Sequence, residues 1–173
     1  MLNVVNVVVT AQLNCCFPLP QLARTMYNVI YNPHQFTAMI IRSRKIKGTC
    51  LLFPNGKIVV NGCTSRAESH HSVRQFARQL QRHGYSVRLS DFKVQTMTGV
   101  QKTGLHVDMI KLAENLGAEY NPDISPGVIY RHGKLVYIIQ HKGSVIVCGA
   151  KTLKEMVKDI PDVILNMYIC SRK

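Results

Sequence analysis

The chain has 173 residues, of which 46% are hydrophobic and 18% charged, a composition that supports a buried core and argues against disorder. The formal net charge is +13 at pH 7. This excess indicates a polyanionic partner, either nucleic acid or an acidic membrane surface, unless the charge serves solubility alone.

The first half of the chain predicts a strand, a short helix, further strands and a long helix. β-Branched and apolar residues predict the strands, which are Val4–Leu13, Phe36–Arg42, Thr49–Phe53 and Lys57–Asn61. The sequence PNG at 54–56 is a tight hairpin signal. The long helix spans 65–84, with a capping box formed by Ser65 and Glu68 and a stop at Gly84.

The long helix carries two different faces. Apolar residues at helical spacing face the core: Val73, Phe76, Ala77 and Leu80. Basic or titratable residues recur at every fourth position on another face: Arg66, His70, Arg74, Arg78 and Arg82. Like charges at this spacing destabilise a helix, so the row suggests an acidic partner, although a solvated face is the alternative.

The second half repeats this plan. A strand at Phe92–Thr98 leads to the helix VDMIKLAENLG, which ends at Gly117, and strands and a second long closing helix follow. YNPHQFTAMIIR at 31–42 matches YNPDISPGVIYR at 120–131, and FPNGKIVVNG at 53–62 matches QHKGSVIVCG at 140–149. We therefore expect two repeats, 1–90 and 91–173, related by a pseudo-twofold axis and together forming one domain.

Antiparallel hairpins with helices on one side leave the other sheet face open to a ligand. The two halves differ in charge. Residues 1–90 carry eleven Lys and Arg and one acid, a net +10, whereas residues 91–173 carry eleven and eight, a net +3. The first half is therefore the expected site of contact with a polyanion.

Several classes of protein are disfavoured. No apolar run reaches the length of a membrane span, and the N-terminus lacks a basic leader, so we expect a soluble intracellular chain with no membrane partner. The adjacent His70 and His71 would project about 100° apart on a helix, and no nucleophile–base spacing or CxxC pair occurs. We expect no enzyme, no cofactor and no metal. Small buried thiols are expected at four cysteines: Cys15, Cys50, Cys63 and Cys148.

Residues 3–170 resemble the TATA-box-binding protein family, most of all its divergent TBP-related members. The segments that carry the resemblance are NVVVT, YNPHQFTAMIIRSR, LLFPNGKIVVNG, ARQLQRHGYSVRLSDFKV, YNPDISPGVIYR and GSVIVCGAK. The resemblance implies an α+β saddle of two pseudo-symmetric repeats, with a ten-stranded antiparallel sheet and helices on its convex face. The concave face of this family grips the DNA minor groove and wedges phenylalanines into base steps, and the family is the standard example of that mechanism.

In the first half, the resemblance implies a nearly complete DNA-binding set. Phe36 and Phe53 match the intercalating pair, and Asn6 matches a central asparagine that reads the groove. Val8, Leu51 and Val59 match the apolar floor. Arg42, Arg44 and Lys57 match phosphate contacts. Asn61 stands where the family has a threonine. Without the resemblance, core packing would be the ordinary interpretation of both phenylalanines.

In the second half, the set is depleted. Ser125 and Gln140 stand at the two phenylalanine positions, Thr96 replaces the second asparagine and Cys148 replaces the threonine. Three expected contacts remain: Ile138, Ile146 and Arg131. We therefore expect DNA to be kinked at one end only, or hardly at all.

The resemblance also implies protein partners. General transcription factor A would contact the basic helix at Arg74, Arg78 and Arg82, and factor B the loop containing Asn121, Asp123 and Ile124, where Asn121 replaces an acid. Self-association of the DNA-free protein is a further possibility. Two functions stay open: a nuclear promoter-recognition factor with weakened or altered TATA preference, or an interaction adaptor that hardly touches DNA. The RSRKIK run at 42–47 fits either nuclear import or a strand end and turn.

Overall fold

The structure is a computed structural model that describes residues 1–171. This part of the chain contains nine strands and five helices. The strands are β1 (Asn3–Gln12), β2 (Val29–Ile30), β3 (Met39–Ser43), β4 (Ile46–Leu52), β5 (Lys57–Cys63), β6 (Ser90–Lys102), β7 (Gly127–His132), β8 (Leu135–Gln140) and β9 (Ser144–Ala150). The helices are α1 (Leu19–Thr25), α2 (Arg66–Arg82), α3 (Met109–Leu116), α4 (Leu153–Val157) and α5 (Ile160–Ile169). The predicted α+β class with antiparallel strands is confirmed.

The chain divides into two compact units. The first, called the N-unit, is Asn6–Gln95; the second, called the C-unit, combines Met1–Val5 with the chain from Thr96 onward. The hydrogen-bonded strand order is β2-β3-β4-β5-β1 in the N-unit and β6-β9-β8-β7 in the C-unit. The predicted division into repeats at residues 90 and 91 stays a prediction.

Helix α2 closes one face of the N-unit sheet. Ser65 Oγ accepts a hydrogen bond of 3.1 Å from the Glu68 amide, and Glu68 Oε2 accepts one of 2.7 Å from the Thr64 amide. The predicted cap is thus confirmed, although the carboxylate bonds Thr64 and not the cap residue itself. Gly84 follows the helix with a φ of 88°, a conformation that favours glycine. The predicted core stripe is buried throughout: Val73, Phe76, Ala77 and Leu80.

Two N-unit strands have boundaries that differ from the prediction. β3 starts only at Met39, because the Phe36 amide donates to the Asn32 carbonyl over 2.9 Å and thereby closes a turn ahead of the strand. β4 stops at Leu52, and Phe53 opens the PNG turn, in which the Gly56 amide donates to the Phe53 carbonyl over 3.0 Å. Both phenylalanines therefore lie in turns beyond the strands.

The C-unit closes with two helices, so the prediction of one long helix is wrong there. α4 ends at Val157, and α5 begins at Ile160 with Pro161 in its first turn. A proline ring clashes with the carbonyl four residues earlier, which is that of Val157, and proline has no amide to donate. Helix α3 agrees with the prediction, because Gly117 follows it in the left-handed conformation.

The tenth strand that the resemblance implied is reduced in the C-unit to one bridge. Glu119 and Ile129 exchange two backbone hydrogen bonds, of 3.2 Å and 2.9 Å, and form an isolated antiparallel pair. The N-unit has a two-residue strand, β2, at the corresponding place, where Ile30 pairs with Ile40.

The described residues include no helix with the length and hydropathy of a membrane span, and no cluster of three or more His, Cys, Asp or Glu side chains arranged for a metal. Cys50 and Cys63 are buried as predicted, and burial raises the pKa of the Cys50 thiol. The same prediction is wrong for Cys15 and Cys148, which are partly exposed.

Candidate nucleic-acid interface

The N-unit sheet has one covered and one open face. α2 packs on β4 and β5, and the side chains that point toward the helix layer are buried, as Val9, Cys50 and Val60 illustrate. Side chains alternate across a strand, so the intervening residues form the other face. Those residues are only partly buried, and they include the predicted floor of Val8, Leu51 and Val59.

Strand register sorts the open face of the N-unit into rows. Ile40 lies opposite Leu51, Leu51 opposite Val59, and Val59 opposite Thr10, which gives a mainly aliphatic row. In the neighbouring row, Arg42 lies opposite Thr49 and Thr49 opposite Asn61. The predicted Asn61 is therefore on the same face as the predicted floor, together with the exposed Lys57.

Asn6 is oriented by the sheet itself. Its Oδ1 atom accepts a hydrogen bond of 2.8 Å from the backbone amide of Gly62. The amide group of an asparagine also carries two N–H donors. With the oxygen engaged, Asn6 can present those donors to an acceptor, and the minor-groove edges of adenine and thymine offer acceptors.

Phe36 and Phe53 form a ring pair beside this face. Their centroids are 6.2 Å apart with an angle of 69° between the ring planes, and Phe36 is 42% exposed. A core phenylalanine would not be exposed to this degree. The pair is thus brought together as predicted and is available to a ligand.

Two of the three predicted phosphate contacts of the N-unit, Arg42 and Arg44, lie at its edge, whereas Lys57 lies on the open face and outside the edge cleft. A cleft of about 810 Å³ beside β2, β3 and β4 is lined by four cations: Arg42, Arg44, Lys45 and Lys47. Lys47 has one acidic neighbour, Glu68, at 3.9 Å. This concentration of donors suits polyanion binding, because phosphate contacts are made mostly by Arg and Lys.

The C-unit has an open face of the same plan but with different chemistry. Ile129 lies opposite Ile138, Ile138 opposite Ile146, and Ile146 opposite Val100. In the next row, Arg131 lies opposite Val136 and Val136 opposite Cys148. The predicted contacts Ile138, Ile146 and Arg131 therefore share one face, and Thr96 lies on β6 of the same unit.

The turns that hold the two N-unit phenylalanines recur in the C-unit without the rings. The Ser125 amide donates to the Asn121 carbonyl over 2.9 Å, and the Gly143 amide donates to the Gln140 carbonyl over 2.9 Å. The Ser125 hydroxyl lies 3.3 Å from both the carbonyl oxygen and the amide nitrogen of Gly127, donating to the carbonyl and accepting from the amide. Ser125 is thus tied to its own turn, and the C-unit has no aromatic side chain at these two positions.

The predicted partner residues lie on α2 and on the turn before β7. Three predicted partner residues on α2, Arg74, Arg78 and Arg82, are exposed, and Arg78 and Arg82 line a groove of about 360 Å³ together with Lys45. The turn is held by a bond of 3.1 Å from the Asp123 amide to Asn121 Oδ1. Ile124 in this turn is 82% exposed.

Sequence reasoning missed several residues of the open faces. Thr10, Thr49 and Ile40 belong to the N-unit face, and Val100, Ile129 and Val136 belong to the C-unit face. The period-2 alternation that starts at Asn6 and continues through Val8 would have indicated Thr10. The same alternation places each of the others on the face of a predicted contact in its own strand, as Thr49 lies two residues before Leu51, whereas their cross-strand partners required the register.

The chain is similar to many known proteins, among them the following three. The curated TATA-box-binding protein of Spodoptera frugiperda is 34% identical over 162 residues, which are 91% of this chain and 53% of that protein. The TATA-box-binding protein-like 1 of Entamoeba histolytica is 35% identical over 163 residues, 91% of this chain and 75% of that protein. The solved structure of Methanococcus jannaschii TBP matches with a TM-score of 0.86 and 25% identity, covering 97% of this chain and 98% of that one.

The chain spans about half the length of the Spodoptera relative. Its sequence also matches a protein family described as transcription factor TFIID (or TATA-binding protein, TBP), over residues 1–83 and 91–167. The family match covers most of the chain, and the fold and the arrangement of the open faces agree with it: this chain belongs to the TATA-binding protein family.

Proposed function

We propose that this protein is a nuclear transcription initiation factor that engages core-promoter DNA through the minor groove, with a weakened or altered preference for TATA sequences. TATA-binding proteins are non-enzymatic DNA-binding transcription factors, and the expected absence of enzymatic activity is confirmed at the level of the family. The specific DNA contacts and partners below are our proposals for this chain.

The edge-to-face pair of Phe36 and Phe53 is the observation that carries the proposal. Aromatic wedges unstack a base step, and the energy of unstacking is offset when the bent duplex contacts more protein. Phe36 is 42% exposed, and the open N-unit face beside the pair offers an aliphatic row and the donors of Asn6. Ser125 and Gln140 cannot wedge, so the duplex is kinked at one end only.

The test is a gel-shift titration of a TATA duplex and a scrambled duplex at two salt concentrations. Wild type is compared with Phe36→Ala/Phe53→Ala and with the matched control Ser125→Ala/Gln140→Ala. The control alters the two equivalent turns of the C-unit. We expect the first variant to lose TATA preference and the control to keep it. Equal binding of both duplexes by wild type, with a steep salt dependence, would show electrostatic contact alone and contradict the proposal.

A second candidate function, an interaction adaptor with little DNA binding of its own, is favoured by the absence of both wedges in the C-unit. Its support is the presence of Ser125 and Gln140, in place of phenylalanines, in turns closed by the same backbone hydrogen bonds as those of the N-unit. In the titration above, an adaptor would show no sequence preference in any variant. The two candidates are therefore separated by the wild-type protein alone.

General transcription factor A is the proposed partner of α2. The groove lined by Lys45, Arg78 and Arg82 also contains Gln79, whose Oε1 atom is buried without a hydrogen-bond partner among the described residues. An acidic segment would complement the cations of this groove. Arg78→Glu/Arg82→Glu should abolish recruitment of factor A to DNA-bound protein, whereas Arg66→Glu, at the other end of the helix and outside this groove, should not.

Factor B is the proposed partner of the turn at 120–124. Asn121 stands where the family has an acid, so the contact should be weak. Asn121→Glu should strengthen the binding of factor B, and Ile124→Ala should weaken it further, as measured by interferometry on immobilised DNA complexes. If neither variant changes the binding of factor B, then factor B is not a partner of this turn.

Self-association is the proposed state of the DNA-free protein, because both units carry partly exposed aliphatic rows on their open faces. Sedimentation equilibrium with and without a TATA duplex tests this: DNA should dissociate the oligomer. A monomer at all concentrations would overturn it.

A further inference from the structure

The helical segments that close the two units match in register. Ser65 Oγ accepts a hydrogen bond from the Glu68 amide in the N-unit, and Thr152 Oγ1 accepts one from the Glu155 amide in the C-unit. Each of these glutamates also accepts from the backbone amide four residues before it, over 2.7 Å and 2.8 Å. The caps are therefore equivalent, and they lie 87 residues apart, which is the offset of the repeat in the strands before them.

The core-facing positions of the two segments also agree at this offset. On α2, Val73, Phe76 and Leu80 are buried. Their counterparts on α5 are buried as well: Ile160, Val163 and Met167. The break before Pro161 divides the C-unit segment into α4 and α5, but it leaves the same positions facing the core. The two segments are therefore equivalent in their packing as well as in their caps.

The solvent-facing positions carry opposite chemistry in the two units. Five exposed basic or titratable residues recur at every fourth position of α2: Arg66, His70, Arg74, Arg78 and Arg82. At the same offset the C-unit has five exposed apolar residues, which we call the apolar ridge: Leu153, Val157, Pro161, Leu165 and Ile169. Leu153, Leu165 and Ile169 are more than half exposed. A helix that packs only on its own core would carry polar residues on this face.

A cleft of about 660 Å³ borders the α5 part of the apolar ridge. Pro161 and Leu165 line it, together with Tyr168, which is 68% exposed, and with Leu105 from the segment after β6. Among the described residues that line the cleft, Thr103 alone has neither an aliphatic nor an aromatic side chain. An exposed apolar surface of this kind marks a place where another molecule binds.

The α4 part of the apolar ridge is flanked by positive charge. Lys154 and Lys158 directly follow Leu153 and Val157 in the sequence, and all four residues are exposed. The acid of this helix, Glu155, is held in the cap by its hydrogen bond of 2.8 Å from the backbone. The surface thus presents apolar side chains beside ammonium groups, which attract carboxylates.

We propose that the apolar ridge docks an amphipathic helix of another protein, with an apolar stripe that contacts the ridge and acidic residues that pair with Lys154 and Lys158. Side chains at every fourth position form a ridge that fits the groove between side chains of a second helix. An apolar side chain of that helix fills the cleft beside Leu165. The apolar ridge lies on the helices and not on the open sheet face, so the inference goes beyond the proposed DNA binding and does not depend on it.

An acidic helix fits this surface better than a second copy of the chain or a membrane does. A second copy would bring the same lysines and the same net charge of +13, which repel each other. A membrane would cover the exposed side chains but would not fill the cleft, whereas a helix in a groove inserts its side chains. Charge and shape therefore both favour the helix.

The test measures the binding of synthetic peptides to the full chain. Two peptides have leucines at the spacing of an amphipathic helix and differ only in the flanking residues, which are glutamates in one and lysines in the other. Titration of the labelled peptides, followed by fluorescence anisotropy, gives the dissociation constants. Wild type should bind the glutamate peptide about tenfold more tightly, because ion pairs with Lys154 and Lys158 replace repulsions. A scrambled glutamate peptide measures the attraction to net charge alone, and it should bind more weakly.

Two variants locate the binding on the apolar ridge. Val157→Gln/Leu165→Gln replaces two exposed apolar side chains without a change of charge, and it should weaken binding of the glutamate peptide by at least about tenfold. Lys154→Glu/Lys158→Glu should reverse the preference between the two peptides. The matched control is Tyr27→Gln, which removes a ring that is 87% exposed in the N-unit and should bind as wild type does. Thermal denaturation establishes that each variant is folded.

Equal binding of the two helical peptides by wild type, or undiminished binding by Val157→Gln/Leu165→Gln, would overturn the proposal. Two further measurements cover the other occupants when the peptides do not bind. Vesicles of phosphatidylcholine and phosphatidylserine that bind wild type but not this variant would assign the ridge to a membrane surface. Sedimentation of wild type as a dimer and of this variant as a monomer would make the ridge an interface between copies. Either result would contradict the docking of an acidic helix.

Discussion

The rings of Phe36 and Phe53 meet edge to face, with centroids 6.2 Å apart, although each residue belongs to a different turn. The Phe36 amide bonds back to Asn32, and the Phe53 carbonyl accepts from Gly56. Both turns have a counterpart in the C-unit with the same hydrogen bonds at Ser125 and Gln140. The C-unit thus carries non-aromatic side chains on turns that have the same backbone hydrogen bonds.

Under the proposed function, phenylalanine rings at both C-unit positions should act as a second wedge. Ser125→Phe/Gln140→Phe places two phenylalanines in turns whose backbone bonds match those of Phe36 and Phe53. We expect a larger DNA bend than with wild type, because a second base step is unstacked. Energy transfer between dyes at the two ends of a TATA duplex measures the bend.

The control for this variant is His141→Phe, which replaces an imidazole with a phenyl ring in the exposed turn of Gln140, one residue away from the substituted position. It should leave the bend unchanged. Equal bends for wild type and Ser125→Phe/Gln140→Phe would show that the C-unit does not approach a base step.

The cap of α2 should contribute more to stability than the cap of α4. Ser65→Ala removes the bond from the Glu68 amide and should lower the free energy of unfolding by about 1 kcal/mol. Thr152→Ala removes the equivalent bond of 3.2 Å at a helix of only five residues and should have a smaller effect. Urea denaturation measures both, and a larger effect at Thr152 would contradict the comparison.

Glu68 should make the stability of the N-unit depend on pH. Hydrogen bonds from the Thr64 amide and hydroxyl, aided by Lys47, lower the pKa of its carboxyl below the ordinary value of 4.5. Because the folded state favours the ionised form, the stabilisation is present above pH 4.5 and is lost as the pH falls through the lower, folded pKa. Wild type should therefore lose stability over this range more steeply than Glu68→Gln. Parallel pH profiles of the two proteins in thermal denaturation would contradict this assignment.

Tyr137 should stabilise the C-unit through its hydroxyl. Its ring is fully buried, and the hydroxyl donates a hydrogen bond of 3.2 Å to Asp159. Tyr137→Phe should lower the free energy of unfolding by about 1 kcal/mol near neutral pH. Burial and the nearby Asp159 raise the pKa of the phenol above 10.0, so the folded state favours the neutral form. The difference between the two proteins should consequently shrink as the pH rises above 10.0, which urea denaturation across this range would measure.

The capping box of α2 and its apolar stripe were predictable because they depend on residues within one or two helical turns. The start of β3 and the end of β4 were not predictable from such local spacing. Phe36, for example, favours a strand, but its amide bonds to the Asn32 carbonyl and closes a turn instead. The second closing helix was predicted as continuous although Pro161 marked the break. The resemblance supplied most of the candidate site, but it did not include Thr10 or Thr49. The structure places both residues on the open face of the N-unit.

By itself, the sequence determined the internal repeat, the capping signals, the charge difference between the halves and the loss of aromatic residues at 125 and 140. These features are properties of residue identity and short-range spacing. Only the tertiary structure decided which side chains share a face and which lie opposite one another. The pairing of Thr49 with Asn61, and of Val136 with Cys148, is such a decision, because cross-strand register depends on how whole strands align to bury one face of the sheet.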